Sequence, residues 1–243
     1  MEREKISVCM ATYNGEKYLK EQIETILNQL NHKDELVISD DASTDRTIQI
    51  ILSFRDKRIR LIRNSSHNGI KKNFENAIIS STGKYIFLSD QDDVWINNKI
   101  VKMVEKLKTY DSVISDAYIT DEKLNVISNS LLKKENIKNG ITRNILKNGY
   151  YGCCLAFNRT LLSKILPFPE NTNEVTHDLW IGLIAETYGQ MFILREPLIY
   201  FRRHERTVTN IGTKKKGRRF LKKINGRIEI IKIYIKKIKE MKR

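Results

Sequence analysis

The first hundred residues alternate short apolar runs with segments in which apolar residues recur at helical spacing. The segment EKYLKEQIETILNQL, for example, places leucine and isoleucine three or four positions apart, as an amphipathic helix does. Strands that alternate with helices form right-handed crossover units around a parallel sheet. The sequence therefore predicts an α/β fold with a Rossmann-like, mostly parallel central sheet flanked by helices. The predicted strands are KISVCMATYN (5–14), DELVISDD (34–41), IRLIRN (59–64) and KYIFLSD (84–90).

Polar residues follow three of these strands at the points where the strands end. Thr-Tyr-Asn at 12–14 closes the first run, two aspartates at 40–41 close the second, and three aspartates within 90–93 close the fourth. In open α/β sheets, ligands bind beyond the carboxyl ends of the strands. We therefore expect the three clusters to meet in one ligand-binding crevice.

The aspartates at 90, 92 and 93 are unusual beside an apolar strand, because neighbouring carboxylates repel one another and are costly to bury. Carboxylates two positions apart suit Mn²⁺ or Mg²⁺, which take further ligands from substrate phosphates. The pattern thus predicts a divalent cation and a phosphorylated ligand. The phosphate-binding loops GxxxxGK(S/T) and GxGxxG do not follow the first strand, so the sequence lacks the motifs that would indicate a kinase or a dehydrogenase. Alternatively, Asp92 or Asp93 caps a helix that begins near Asn97.

After residue 110 the alternation of strands and helices weakens. The segment 111–128 predicts a hairpin, YYGCCLAFN (150–158) predicts another strand, and 177–189 predicts an amphipathic helix. Two further strands, MFILRE and PLIYFRRH, are expected before the C-terminal tail.

The formal net charge of +15 is concentrated in the tail. Residues 214–243 contain 14 Lys and Arg against two acidic residues, which leaves 30 basic and 27 acidic residues in the rest of the chain. A body with nearly balanced charge argues against nucleic-acid binding, and the basic tail needs a separate explanation.

The cysteines and the N-terminus bear on the cellular compartment. Cys9, Cys153 and Cys154 fit neither a CxxC nor a Cys/His ligand spacing, which indicates free, reduced thiols. The first five residues are mostly charged, and no apolar run approaches the ~18 residues of a membrane span. These features predict a cytoplasmic protein without a signal peptide.

The segments ISVCMATYNG, ISDDASTDRT and FLSDQDDVW, in this order and spacing, resemble family 2 of the inverting glycosyltransferases, which have the GT-A fold. The last segment is most similar to the rhamnosyltransferase-like bacterial members that build surface polysaccharides. The resemblance continues through NGIKKNFENAI, YYGCCLAFN, HDLW and PLIYFRRH, and covers about residues 6–204. It implies a catalytic domain and a tail, with bounds of 1–212 (nucleotide-binding half 1–110, acceptor-binding half 111–212) and 213–243.

The resemblance also implies roles in nucleotide binding. Thr12, Tyr13 and Asn14 would line the nucleotide pocket. Asp41 would accept a hydrogen bond from the N3–H of uracil or thymine, which suits an ionised carboxylate without a donor of its own. Lys72 falls where related enzymes often have a basic residue near the diphosphate.

The metal site is likewise implied by the resemblance. Asp90 and Asp92 would form the DXD motif, with Asp92 as the direct ligand of the cation and Asp90 near the ribose. Asp93 would orient this pair or cap the next helix. His204 or Arg202, at the end of PLIYFRRH, would reach the metal or the diphosphate; the alternative is a basic strand end at the surface.

Asp178 is the predicted catalytic base. An inverting transfer needs a carboxylate that takes the proton of the attacking hydroxyl group. The segment THDLW puts Asp178 at the start of a helix, where the helix dipole favours the ionised form. The alternative is an ordinary acidic residue in the first turn of a helix.

The tail predicts a basic amphipathic helix, in which isoleucines at 224, 228, 231, 235 and 238 form one apolar stripe. Such a helix can lie on an anionic bilayer and gain roughly 1 kcal/mol per apposed Lys or Arg. We therefore expect residues 214–243 to hold the protein at the inner face of the cell membrane. Alternatively, the stripe packs on the catalytic domain or pairs with another subunit as a coiled coil.

The leading hypothesis is a metal-dependent inverting glycosyltransferase. It would move a sugar, with rhamnose as one candidate, from a UDP- or dTDP-sugar to a lipid-linked or growing surface-polysaccharide acceptor. A sugar nucleotidyltransferase is an alternative, although ATYNGEKY is not the glycine-rich loop that such an enzyme needs. A non-catalytic, membrane-associated scaffold that binds nucleotide sugars is another, and the presence of Asp90, Asp92 and Asp178 argues against it.

Overall fold

The computed structural model describes residues 3–170, 172–205 and 220–241. Within these residues, nine strands form one sheet. The strands are β1 (Ile6–Thr12), β2 (Glu35–Asp40), β3 (Ile59–Arg63), β4 (Tyr85–Ser89), β5 (Val94–Trp95), β6 (Ser112–Thr120), β7 (Val126–Ser128), β8 (Leu155–Asn158) and β9 (Met191–Arg202). The α-helices are α1 (Leu19–Leu27), α2 (Thr47–Ser53), α3 (Ile70–Ser80), α4 (Lys99–Leu107), α5 (Leu131–Lys134), α6 (Ile141–Leu146), α7 (Leu162–Ile165), α8 (His177–Tyr188) and α9 (Phe220–Met241).

The N-terminal half of the chain builds a parallel sheet in the order β3-β2-β1-β4. Each neighbouring pair in this part is parallel. Every residue of β1, β2 and β4 is buried, whereas the edge strand β3 is partly exposed. Continuous apolar runs are typical of parallel strands covered on both faces, so this half confirms the fold predicted from the alternation.

The second half extends the sheet with mixed pairing, in the order β8-β6-β9-β5. β8 is antiparallel to β4 and to β6, whereas β6 and β9 are parallel. β6 and β7 form the predicted hairpin. MFILRE and PLIYFRRH, predicted as two strands, form the single strand β9, and its register against β6 shifts beside Pro197. Proline cannot donate to the ladder, and the irregularity accommodates it without ending the strand.

Helix α8 is a core helix rather than the amphipathic helix that the sequence predicts. Eight of its residues are buried, and they lie all around the helix axis. Trp180 is 2% exposed, and its indole N–H donates to the carbonyl oxygen of Ile165 at 2.7 Å. Trp180 is therefore a core residue.

Helix α9 packs on the body of the protein. Ile230 and Tyr234 are 1% and 9% exposed, and the hydroxyl oxygens of Tyr234 and Thr187 lie 2.6 Å apart. The ammonium group of Lys237 donates to the carbonyl oxygen of Leu166. Packing on the catalytic domain, one of the three alternatives for the tail, is thus present in the structure.

The predicted isoleucine stripe divides between two faces of α9. Ile238 packs against the core, whereas four members of the stripe are 39–44% exposed, namely Ile224, Ile228, Ile231 and Ile235. The basic run 214–219 of the predicted tail lies outside the described residues. None of the helices in the described part of the chain has the length and apolar character needed to cross a bilayer.

Candidate active site

The carboxyl ends of β1, β2 and β4 meet, as predicted. The backbone N–H of Asp41 donates to the carbonyl oxygen of Thr12 at 2.9 Å. The side-chain amide of Gln91 accepts from the backbone N–H of Tyr13 at 2.9 Å and donates to its carbonyl oxygen at 3.0 Å. A Cβ atom at Gly15 would lie 2.3 Å from Gln91 Oε1, so only glycine permits this close approach.

The predicted nucleotide-pocket residues at 12–14 differ in their surroundings. Thr12 is 1% exposed, and its hydroxyl donates to Asp40 Oδ2 at 2.9 Å. Asn14 adopts a left-handed conformation (φ 47°), and its side-chain oxygen accepts from the backbone N–H of Thr44 at 2.9 Å. Both residues tie the end of β1 to that of β2. Tyr13, by contrast, is 44% exposed, and its side chain is accessible to a ligand.

Asp41 is 1% exposed and lies among four polar partners. Oδ1 accepts from Asn64 Nδ2 at 3.0 Å and from the backbone N–H of Asn68 at 2.9 Å. Oδ2 accepts from the backbone N–H of Gly69 at 2.8 Å, and the Nδ1 atom of His67 lies 2.8 Å from it. The carboxylate therefore anchors the loop between β3 and α3 to the end of β2.

The aspartates that follow β4 occupy distinct positions. Asp92 Oδ2 lies 2.8 Å from Nε2 of His204. Asp93 is 1% exposed; Oδ1 accepts from the backbone N–H of Arg202 at 3.1 Å, and Oδ2 has no hydrogen-bond partner among the described residues. One possible ligand atom from each of Asp90, Asp93 and Cys153 lies within 4.8 Å of the other two.

These carboxylates are electrostatically strained. Burial, together with the charges of Asp92 and Asp178, raises the pKa of Asp90 to about 7. Burial and the charges of Asp92 and Asp90 raise the pKa of Asp93 well above its usual range. A cation would relieve both effects, and carboxylate oxygens such as those of Asp90 and Asp92 are the ligands that Mn²⁺ and Mg²⁺ prefer.

The cysteines and a buried lysine complete this region. Lys99 is 0% exposed; its Nζ donates to the carbonyl oxygen of Cys153 at 3.3 Å and lies 5.0 Å from the ring centroid of Trp95. Burial lowers the pKa of Lys99 to about 8. The hydrogen bond that the Cys153 thiol makes to Cys154, together with burial, raises the pKa of Cys153 well above its usual range, so this thiol is a packing group rather than a nucleophile. Lys99 precedes the apolar Met103 and Leu107 by four and eight positions, a spacing that places it on the buried face of α4.

Asp178 lies in the first turn of α8, and its two oxygens differ. Oδ1 accepts from the backbone N–H of Leu179 at 2.7 Å, from Asn148 Nδ2 at 3.3 Å and from the hydroxyl of Thr176. No donor in the described ranges of the chain reaches Oδ2. The charge of Asp178 also raises the pKa of Asp90, and a Cβ atom at Gly152, next to Cys153 in the chain, would lie 3.8 Å from Asp178 Cβ. One oxygen is held and the other is available to accept a proton.

The helix-cap alternative for the aspartates is wrong. Helix α4 begins at Lys99, and the residue that precedes it, Asn98, has a left-handed conformation and makes no side-chain cap. Strand β5 separates Asp93 from this helix.

Lys72 lies in the first turn of α3, where its ammonium group donates to Glu75 at 2.6 Å. The described contacts of Lys72 therefore do not include the aspartates.

In the described part of the chain, the two basic candidates at the end of β9 differ: the side chain of His204 contacts the carboxylate of Asp92, whereas Arg202 reaches the carboxylate of Asp93 only with its backbone N–H. Arg202 is 5% exposed, and its guanidinium group is committed to Glu21 and to the carbonyl oxygens of Asp92 and Glu122. Arg202 thus fixes the backbone of the site.

The fold joins a parallel half-sheet to a mixed half-sheet, with clustered aspartates at the strand ends and a further carboxylate on a neighbouring helix. These features define the GT-A class of sugar transferases. The family model for Glycosyl transferase family 2 matches residues 7–166 of the chain. The chain therefore belongs to glycosyl transferase family 2, and it is a glycosyltransferase.

Individual relatives agree with this assignment. The chain is 31% identical over 184 residues to WfgD of Escherichia coli, which is named UDP-Glc:alpha-D-GlcNAc-diphosphoundecaprenol beta-1,3-glucosyltransferase. The matched region covers 74% of this chain and 70% of WfgD. It is 28% identical over 230 residues to the dTDP-rhamnosyl transferase RfbG of Shigella flexneri, covering 86% of this chain and 77% of RfbG.

Solved structures support the fold. The fragment of Staphylococcus aureus TarS in complex with UDP-GlcNAc superposes with a TM-score of 0.68 at 20% identity, covering 84% of this chain. This chain spans 60% of the length of that fragment. The mannosyltransferase PcManGT of Pyrobaculum calidifontis, in complex with GDP-Man and Mn²⁺, superposes with a TM-score of 0.63 at 20% identity over 84% of this chain and 59% of that one.

Proposed function

We propose that this protein is an inverting glycosyltransferase that moves a sugar from a UDP- or dTDP-sugar to a lipid-linked or growing polysaccharide acceptor. Residues 1–110 would bind the nucleotide and residues 111–212 the acceptor. The observation that carries the proposal is that Asp90 and Asp178, from different halves of the chain, both lie beside the segment Gly152–Cys153. A ligand atom of Asp90 lies within 4.8 Å of Cys153, and a Cβ atom at Gly152 would lie 3.8 Å from Asp178 Cβ. The charge of Asp178 also raises the pKa of Asp90.

The nucleotide site rests on Tyr13 and Asp41. The accessible ring of Tyr13 offers a stacking surface for a base, and the buried carboxylate of Asp41 offers an acceptor for the N3–H of uracil or thymine. Thr12 and Asn14 hold the surrounding loops in place. WfgD is named for UDP-Glc and RfbG for a dTDP-sugar, which supports a pyrimidine nucleotide here.

Asp92, Asp90 and His204 would hold the divalent cation. The alternative group of Asp90, Asp93 and Cys153 fits less well, because the Cys153 thiol stays protonated and Asp93 is buried against Arg202. Hard cations prefer oxygen ligands to sulfur. When bound, Mn²⁺ or Mg²⁺ supplies positive charge that stabilises the departing nucleoside diphosphate. Lys72 would contribute near the diphosphate only after leaving Glu75.

Asp178 would act as the catalytic base. The acceptor hydroxyl oxygen forms a bond to the anomeric carbon while the bond from that carbon to the diphosphate oxygen breaks, which inverts the configuration. The hydroxyl proton passes to Oδ2 of Asp178, the oxygen that no described donor occupies. Hydrogen bonds to Oδ1 from Leu179 and Asn148 keep the carboxylate oriented.

The membrane contact would be made by the exposed face of α9. Ile224, Ile228, Ile231 and Ile235 form its apolar stripe, and the flanking lysines Lys223, Lys232, Lys236 and Lys239 are exposed. A stripe of this kind among lysines fits the surface of an anionic bilayer, where apolar burial and attraction to lipid head groups act together. The name of WfgD includes a diphosphoundecaprenol acceptor, which supports a lipid-borne acceptor for this chain also.

The first experiment is calorimetric titration of the wild type and Asp92→Asn with UDP and with dTDP, each with and without Mn²⁺. We expect micromolar binding of at least one nucleotide that Mn²⁺ strengthens in the wild type and no longer strengthens in Asp92→Asn. The matched control is Glu105→Gln, since Glu105 is an exposed carboxylate of α4. Absence of nucleotide binding to the wild type under every condition would refute the proposed function.

A further inference from the structure

The side chain of His67 lies against Tyr13 and Asp41 in the crevice. Its ring centroid is 4.4 Å from that of Tyr13, with an angle of 36° between the ring planes. Its Nδ1 atom is 2.8 Å from Oδ2 of Asp41. A planar, nitrogen-containing ring beside Tyr13, with a ring nitrogen at the Asp41 carboxylate, makes the same two contacts that the proposed nucleobase would make.

We infer that His67 occupies the nucleobase position in the free protein and leaves it when the nucleotide binds. The inference rests on the proposed function, because it assigns the base to Tyr13 and Asp41. His67 would then compete with the donor substrate for this position, and it would lower the apparent affinity of the protein for the nucleotide.

The surroundings of Asp41 show which contact can be given up. Two of its partners are backbone N–H groups, of Asn68 and Gly69, and the third is the amide of Asn64. Breaking either backbone bond would require the loop before α3 to move, and the Asn64 amide is also held by Asn76, whose Nδ2 donates to Asn64 Oδ1 at 2.9 Å. The His67 side chain is 57% exposed, so a rotation about its side-chain bonds releases it into solvent without opening the core.

The departure of His67 leaves one acceptor position on Oδ2 of a carboxylate that is 1% exposed. A carboxylate has about four acceptor positions, and a buried one left unfilled is unfavourable. Uracil and thymine carry an N3–H that can fill it. Neutral cytosine presents a lone pair at N3 and would face the carboxylate with the wrong polarity. The exchange of His67 for a base therefore favours uridine and thymidine nucleotides over cytidine nucleotides.

The test is calorimetric titration of the wild type, His67→Ala and His32→Ala with UDP, dTDP and CDP in Mn²⁺. His32 is exposed and lies between α1 and β2, so His32→Ala is the matched control. If His67 closes the site in about nine molecules out of ten, its removal tightens binding of UDP or dTDP about 10-fold. We expect CDP to be the weakest of the three ligands for the wild type and also for His67→Ala. Equal or weaker binding of UDP and dTDP by His67→Ala would overturn the inference.

A second measurement follows His67 itself by NMR. Stacking on Tyr13 should shift the His67 ring-proton signals upfield in the free wild type, and both Tyr13→Leu and saturating nucleotide should remove this shift. If the nucleotide leaves the His67 signals in place, the ring stays in the site and the inference is wrong. When the wild type binds a nucleotide and His67→Ala binds it no better, only this inference fails. When no nucleotide binds either protein, the proposed function fails with it.

Discussion

At the scale of single residues, the two oxygens of the Asp178 carboxylate have different surroundings. Three donors hold Oδ1, and none in the described part of the chain reaches Oδ2. We expect Asp178→Asn to keep the hydrogen bonds at Oδ1 but to lose the proton acceptor. Turnover should fall about 10²–10⁴-fold, while the dissociation constant of the nucleotide changes less than about 2-fold. Steady-state transfer rates and calorimetry measure the two quantities.

The control for Asp178→Asn is Glu105→Gln, which removes an exposed carboxylate of α4. Transfer by Asp178→Asn at the wild-type rate would show that another group accepts the proton. A parallel loss of nucleotide binding would instead indicate a structural role in the first turn of α8.

The site residues that the sequence could and could not reveal differ in a physical way. Asp41, Asp90 and Asp92 follow apolar strands, and the rule that ligands bind at strand ends applies to them directly. His67 lacks such a signal. Its contact with Tyr13 depends on how the loop before α3 folds back on the sheet, which residue spacing does not encode.

At the scale of elements, α9 carries two adjacent isoleucines with opposite surroundings. Ile230 is 1% exposed and faces the body, whereas Ile231 is 39% exposed. We expect Ile230→Ala to lower the free energy of unfolding by about 2–5 kcal/mol, because it opens a cavity under the helix. Ile231→Ala should leave that free energy within about 0.5 kcal/mol of the wild type. Urea denaturation compares the two variants.

The same pair separates docking on the body from docking on a membrane. Binding to vesicles that contain anionic lipid should weaken in Ile231→Ala, although that variant is as stable as the wild type. Equal stabilities for the two variants would contradict the orientation of α9. This orientation could not be derived from the isoleucine spacing, because a helix with apolar residues on two sides has two candidate inner faces. The predicted stripe turned out to lie mainly on the outer one.

At the scale of the whole molecule, α9 joins the proposed membrane face to the acceptor side of the site. Tyr234 contacts Thr187 of α8, the helix that carries Asp178 in its first turn. Glu229 accepts a hydrogen bond from Thr172, which lies just before that helix. A bilayer under α9 would therefore hold the proposed catalytic base, Asp178, in a fixed relation to acceptors anchored in the same lipid surface.

This arrangement predicts that anionic vesicles accelerate transfer to a lipid-anchored acceptor and leave transfer to a soluble acceptor nearly unchanged. Replacing both Lys232 and Lys236 with alanine should weaken vesicle binding about 30-fold, since each apposed lysine contributes roughly 1 kcal/mol. The variant should lose the acceleration and retain the rate with the soluble acceptor, because neither lysine contacts the site. Initial rates with anionic and neutral vesicles measure the effect, and Lys106→Ala on α4 is the control. Equal acceleration of the wild type and the double variant would assign the exposed face of α9 to another partner.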